Sequence, residues 1–194
     1  MARATSQENA LGVLGGTFDP VHNAHLAMAR AALDCLPLNA ILFVPTGAPL
    51  YRNLPIASAQ HRLAMLKLAI EDEPRYRIDQ RELAPGGSGY TVDTLRSLRS
   101  EIGSAVPLYL LIGADQYAAL ATWHRPDELQ KLARIAVFAR PGFKACGNDA
   151  ETVPMKPLPV SASEIRARAA RGQDLSRMVP PAVASYIARH RLYA

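Results

Sequence analysis

Residues 11 to 26, LGVLGGTFDPVHNAHL, constrain the fold more than any other stretch of the chain. An unbroken apolar run ends in two glycines, and a helical pattern opens a few residues later. Such a run describes a strand covered on both faces, and a strand that hands over to a helix must return through a parallel neighbour. Gly15 and Gly16 lie at the turn. Without Cβ atoms they let the backbone press against a bulky ligand, and the first N–H groups of the helix point at whatever anion lies there. His22 and His25 aim two imidazoles at the same place. The pattern predicts a phosphate site; the alternative is an i, i+3 histidine pair binding zinc with Asp19 nearby. Neither GxxxxGKS/T nor GxGxxG occurs, so any phosphate site here is built differently from those motifs.

The same alternation repeats along the chain. Strands are predicted at 11–16, 40–45 (AILFVP), 76–80 (YRIDQ), 107–115 (PLYLLIGAD), 134–140 (RIAVFAR) and 152–160 (TVPMKPLPV). Helical spacing marks 22–35, 58–72, 91–102, 161–172 and 180–191. The class is therefore α/β, a doubly wound parallel sheet with right-handed crossovers and closing C-terminal helices. Residues 1–10 read as a flexible tail and 11–194 as one domain, with 161–194 its C-terminal helical part. Loops rich in Gly, Pro and Ser fall at 46–58 and 81–90, with a third at 141–151. Ligands of such folds bind at the C-terminal edge of the strands, where each motif of interest falls.

With 194 residues, 49% of them hydrophobic, the chain can bury a substantial core. No run approaches the ~20 apolar residues of a membrane span, and MARATSQENA lacks the apolar centre of a secretion signal. The expected location is cytoplasmic. Cys35 and Cys146 form no CxxC pair, which predicts two reduced thiols. A net charge of +5 suits a phosphate-rich partner, either a nucleotide or a nucleic acid. Lys and Arg are scattered apart from Arg166, Arg168 and Arg171, which favours a pocket over a nucleic-acid arm.

Five ordered segments carry a resemblance. GGTFDPVHNAH at 15–25 resembles the GGTFDPxHxGH signature of the HxGH nucleotidyltransferases, with Ala24 where glycine is usual. VSASEIRAR at 160–168 resembles their second signature, ISSTxIR, with Ser163 in place of threonine. GYTVDTL at 89–95, LIGADQYAALATWHRPDEL at 111–129 and VPPAVASYIARHRLY at 179–193 are similar to the bacterial nicotinate mononucleotide adenylyltransferase branch. The resemblance implies a Rossmann-like nucleotidyltransferase fold and transfer of the adenylyl group of ATP to nicotinate mononucleotide, a step of NAD biosynthesis, with release of pyrophosphate.

It also implies roles for particular residues. His25, with His22 and Arg166, would compensate charge at the transferring phosphate. Gly15, Gly16, Thr17, Phe18, Gly113, Asp115, Arg140, Ser161, Ser163 and Arg52 would surround ATP; Tyr51 stands where the family carries histidine beside the basic residue. Asp19, Tyr90, Thr91 and Trp123 would surround nicotinate mononucleotide. Magnesium is expected with ATP, held through phosphate and water, with no protein ligand implied. The acceptor's own phosphate, ionised with a second pKa of ~6, needs no general base, and no serine has a triad-like partner. Sister enzymes acting on phosphopantetheine or transferring cytidylyl share the two terminal signatures, and a non-catalytic nucleotide- or nucleic-acid-binding module is the alternative from another class.

Overall fold

A computed structural model of the chain describes residues 10–47, 54–138 and 150–194. Arg52, Arg140, Cys146 and the expected tail over 1–9 lie outside the described residues. Six strands are present among those described: β1 (Ala10–Gly16), β2 (Leu38–Pro45), β3 (Tyr76–Ile78), β4 (Leu108–Gly113), β5 (Arg134–Phe138) and β6 (Glu151–Val153). Seven helices accompany them: α1 (Asn23–Cys35), α2 (Ala59–Ile70), α3 (Thr91–Ile102), α4 (Ala114–Ala118), α5 (Pro126–Leu132), α6 (Ala162–Ala170) and α7 (Pro181–Arg189).

The strands form one parallel sheet in the order β3-β2-β1-β4-β5-β6. Val13 at its centre lies beside Leu42 on one side and Leu110 on the other. Strand periodicity of two sends successive side chains to opposite faces, and the core divides accordingly. Leu14, Tyr109, Leu111, Ala136 and Phe138 face a cluster built with α1, α2, α6 and α7. Val13, Leu108, Leu110, Ile112, Ile135 and Val137 face a second cluster built with α3 and α5. Because both faces are covered, the strands read as continuous apolar runs, as the sequence pattern requires.

Chain order reverses between β1 and β4, so the crossovers leave the sheet in opposite directions there. That divergence opens a crevice beyond the C-terminal ends of these two strands.

Several boundaries differ from expectation, each for a local reason. Ala10, assigned by sequence to the tail, is fully buried within β1. The strand expected over 152–160 stops at Val153, because Pro154, Pro157 and Pro159 lack the N–H that a ladder needs. The strand expected to reach Asp115 ends at Gly113, and α4 begins at once. Helix α5 was not expected, although its signals are in the sequence: Pro126 in the first turn, Asp127 and Glu128 after it, and Lys131 in the last turn.

Candidate active site

A cavity of about 620 Å³ occupies the crevice, within the range of ~300–1,000 Å³ usual for small-molecule sites. Its floor is the C-terminal end of β1 (Leu14, Gly15, Gly16) and of β4 (Leu111, Ile112, Gly113). Thr17, Phe18, Asp19, His22, His25, Asp115, Trp123, Ser161 and Arg166 also line it. Twelve of the expected site residues, from motifs 150 positions apart in the chain, thus meet around one space.

A second, smaller cavity of about 70 Å³ adjoins it, lined by Thr91, Thr94, Glu82 and Gly89. The two share Gly15, Gly16, Thr17, Gln116 and Trp123 as a common wall. Ser163, Tyr90, Arg52 and Arg140 remain. Ser163 is exposed and its hydroxyl lies 3.1 Å from that of Ser161. Tyr90 stacks on His124 at 4.3 Å, while the two arginines fall outside the described residues.

The glycines divide the work at the β1 turn. A Cβ added to Gly15 would meet no protein atom within 4 Å, so its face is open to the cavities. A Cβ on Gly16 would stand 3.2 Å from the ring of Phe18. That ring is buried, edge-on to His25 at 4.9 Å, so Phe18 supports the site from beneath and offers a ligand only its backbone. At Gly113 the missing Cβ makes room for Asp115 Oδ1, which would lie 2.7 Å from it.

His22 occupies the cap position of α1 and His25 the third residue of its first turn. The His22 N–H donates to Nδ1 of His25 at 3.3 Å, and the two rings stack at 3.7 Å with 22° between planes. A neutral imidazole that accepts through Nδ1 carries its proton on Nε2. His25 therefore accepts at Nδ1 from the start of α1 and keeps Nε2 as its donor.

Asp19 is spent on structure. One carboxylate oxygen accepts the Ile56 N–H at 2.7 Å, and the other accepts the Ala57 N–H at 3.1 Å and the Tyr193 hydroxyl at 2.8 Å. Its side chain is 4% exposed at the edge of the cavity and accepts from these three donors. Its backbone carbonyl accepts from Arg166 at 2.8 Å, one of the five donors that guanidinium carries. Arg62 donates to the Thr17 carbonyl at 2.6 Å from within the core. Burial lowers its guanidinium from the ordinary value, and the Asp19 charge opposes that shift.

Ser161 caps α6, accepting the Glu164 N–H at 3.3 Å, so the helix start carrying the second motif points into the cavity region from across the crevice. Met28, Met155, Leu158 and Val160 add an apolar wall. Sequence reasoning missed that wall because 154–160 read as strand. Glu82 is buried, accepts the Thr94 hydroxyl at 2.5 Å, and has its carboxyl pushed up by burial against the opposing pull of Thr94 and Thr46. Among the described residues, no group of three or more His, Cys, Asp or Glu is arranged to hold a metal ion, and no helix is long and apolar enough to cross a membrane.

The cytidylyltransferase-like family model matches residues 13–168, which includes both terminal motifs. A Chromobacterium violaceum protein named "Probable nicotinate-nucleotide adenylyltransferase" is 42% identical, covering 94% of this chain and 98% of the relative. A Salinispora arenicola protein of the same name is 38% identical over 93% of this chain and 99% of its own length. Among solved structures, Plasmodium falciparum nicotinic acid mononucleotide adenylyltransferase complexed with APC shares the fold with a TM-score of 0.79 at 18% identity, covering 95% of this chain and 97% of that one. With relatives this similar over nearly its whole length, the chain belongs to the nicotinate-nucleotide adenylyltransferase family.

Proposed function

We propose that this chain transfers the adenylyl group of ATP to nicotinate mononucleotide, giving nicotinate adenine dinucleotide and pyrophosphate, by one in-line displacement. The observation that carries the reading is the pair of cavities sharing one wall at the β1–β4 crevice, one large enough for ATP and the other at the start of α3. Members of the family bear the activity in their names, and a Plasmodium falciparum relative in fold is complexed with NaAD.

The acceptor's phosphate is the nucleophile, so catalysis consists of positioning and of offsetting charge. His25 donates from its outer ring nitrogen to the triphosphate, with His22 stacked behind it. Arg166 and the α6 start, with Ser161 and Ser163, oppose the charge that grows on the departing pyrophosphate. Gly15, Gly16 and the Thr17–Phe18 backbone let the phosphates approach, and Asp115 receives a ribose hydroxyl. Arg52 and Arg140, outside the described residues, are the further cations this reading assigns to ATP. Trp123 stacks on the pyridine ring, and the Tyr90–Thr91 start of α3 receives the nicotinate carboxylate. Asp19 acts on that side only indirectly, through the turn it holds.

The donor set along the larger cavity, a carboxylate with hydroxyls and amides, suits a hard cation carried by the triphosphate. Magnesium bound in that way would neutralise part of the phosphate charge. The reading treats 11–194 as one domain acting in the cytoplasm. The test supplies ATP and magnesium with nicotinate mononucleotide, its amide, or phosphopantetheine, and measures pyrophosphate. The acid is expected to exceed the amide by at least about tenfold in kcat/KM, since only a carboxylate gains fully from a helix start. Turnover with phosphopantetheine instead would overturn it.

A further inference from the structure

The turn that faces the phosphates is itself held by residues distant from it in the chain, one of them, Arg62, outside all five segments. Thr17, Phe18 and Asp19 are gripped at three points: Arg62 on the Thr17 carbonyl at 2.6 Å, Arg166 on the Asp19 carbonyl at 2.8 Å, and the Tyr193 hydroxyl on the Asp19 carboxylate at 2.8 Å. Phe18 at the centre has a φ of 49°, a left-handed conformation rare for a bulky aromatic residue. On the other side of the clasp, Arg191 and Tyr193 have φ of 50° and 67°. Two of the four non-glycine residues with positive φ among those described, Phe18 and Tyr193, thus belong to the clasp. Strain of this kind persists only where the surroundings over-determine it, and it gathers at functional sites.

The clasp reaches the cavity from two sides. The carboxylate that takes the Tyr193 hydroxyl also takes the amides of Ile56 and Ala57, and Ile56 lines the larger cavity. Phe18 in turn bears on His25 at 4.9 Å and closes against Gly16. Arg62 is 2% exposed and is not among the residues lining that cavity, so it reaches the site through the Thr17 carbonyl.

We propose that Tyr193 and Arg62 are positioning residues of the transfer reaction, holding the 17–19 turn in its left-handed form so that Gly15, Gly16 and His25 meet the triphosphate in register. The inference rests on the adenylyltransferase reading. Removing the Tyr193 hydroxyl leaves its packing intact and frees the turn to relax, which moves the phosphate contacts without emptying either cavity.

The experiment compares Tyr193→Phe with Leu192→Ala, a neighbour that packs on the same core without a role in the clasp. Pyrophosphate release is followed at fixed temperature, with thermal midpoints measured alongside. Tyr193→Phe is expected to lower kcat about tenfold, the effect of losing ~1.4 kcal/mol of transition-state stabilisation, while the KM for nicotinate mononucleotide stays within about twofold. Leu192→Ala is expected to lower the midpoint at least as much and leave kcat unchanged. Arg62→Lys, which keeps the buried charge but not the fork, should lower kcat less than Arg62→Met. Equal kcat in Tyr193→Phe and wild type, or matching kcat losses in Tyr193→Phe and Leu192→Ala, would overturn the inference. Should Tyr193→Phe fail to fold, equal kcat in the two Arg62 variants would overturn it and the expected ordering would uphold it. Failure of the wild type to adenylylate nicotinate mononucleotide would instead overturn the reading beneath it.

Discussion

Two adjacent glycines give the sharpest perturbation, because the same added methyl group meets opposite surroundings. At Gly16 the new Cβ would lie 3.2 Å from two atoms of the Phe18 ring, which is 1% exposed and packed against Phe43 as well as His25. Overpacking of that kind costs about 1–3 kcal/mol, a fall of roughly 2–12 °C in thermal midpoint for a chain of this size. At Gly15 the Cβ would meet nothing, and the backbone is outside the left-handed region. Gly15→Ala should therefore leave the midpoint unchanged or raise it slightly, since alanine loses less chain entropy on folding, by about 0.4–1 kcal/mol. Its effect falls on substrate. A methyl group in the shared wall pushes a phosphate back by about 1 Å, and misplacement on that scale costs on the order of 10²-fold. Scanning calorimetry with initial rates of pyrophosphate release separates the two: Gly16→Ala loses stability, and Gly15→Ala loses kcat/KM for ATP. A Gly15→Ala enzyme with the wild-type KM and kcat would show that no phosphate lies against β1, and the argument from the open face would fail.

Other consequences can be measured directly. His25→Ala should reduce kcat by about 10²–10³, the usual loss for one preorganised donor, with a midpoint drop worth about 1 kcal/mol from the lost bond to the His22 N–H; unimpaired turnover would remove the imidazole from the chemistry. Trp123→Ala should raise the acceptor's KM about tenfold, in keeping with ~1–3 kcal/mol for a ring stacked on an aromatic side chain, and a larger change in the KM for ATP would place the indole on the other substrate. Because burial raises the Glu82 carboxyl above its unfolded value, the fold favours the protonated form and loses stability as pH rises through the folded value. Glu82→Gln escapes that loss, so its midpoint advantage over wild type should grow from acid to neutral pH, and a pH-independent difference would contradict it.

The parallel sheet was largely legible because near-continuous apolar strands separated by helices admit few arrangements. The lining of the candidate site was legible where it is local: Gly15 to His25 lies within a single strand-turn-helix, and Ser161 to Arg166 at one helix start. What stayed hidden depends on distant contact. Arg62 reads as one more surface arginine on a helix, and its place beneath Thr17 is fixed by residues 45 positions away. Tyr193 reaches Asp19 across 174 positions, which no periodicity records. The partners of the Asp19 carboxylate stayed hidden for the same reason: its neighbours in sequence do not reveal that two amides from 56 and 57 will bond it. Helix α5 was missed although its end signals are present, because a helix of seven residues shows too little periodicity to stand out.

The wall common to the two cavities bears on the speed of the whole cycle. On the proposed reaction, each substrate arrives with half of the available contacts, whereas the dinucleotide spans the divide and holds both sets in one covalent piece. Leaving then requires both ends to let go together, since an end that detaches alone stays tethered at high local concentration beside its own seat. Bond exchange between neighbours across Gly15 and Trp123 is accordingly expected to outpace departure, and rapid mixing should reveal a first-turnover burst of pyrophosphate ahead of a slower steady rate.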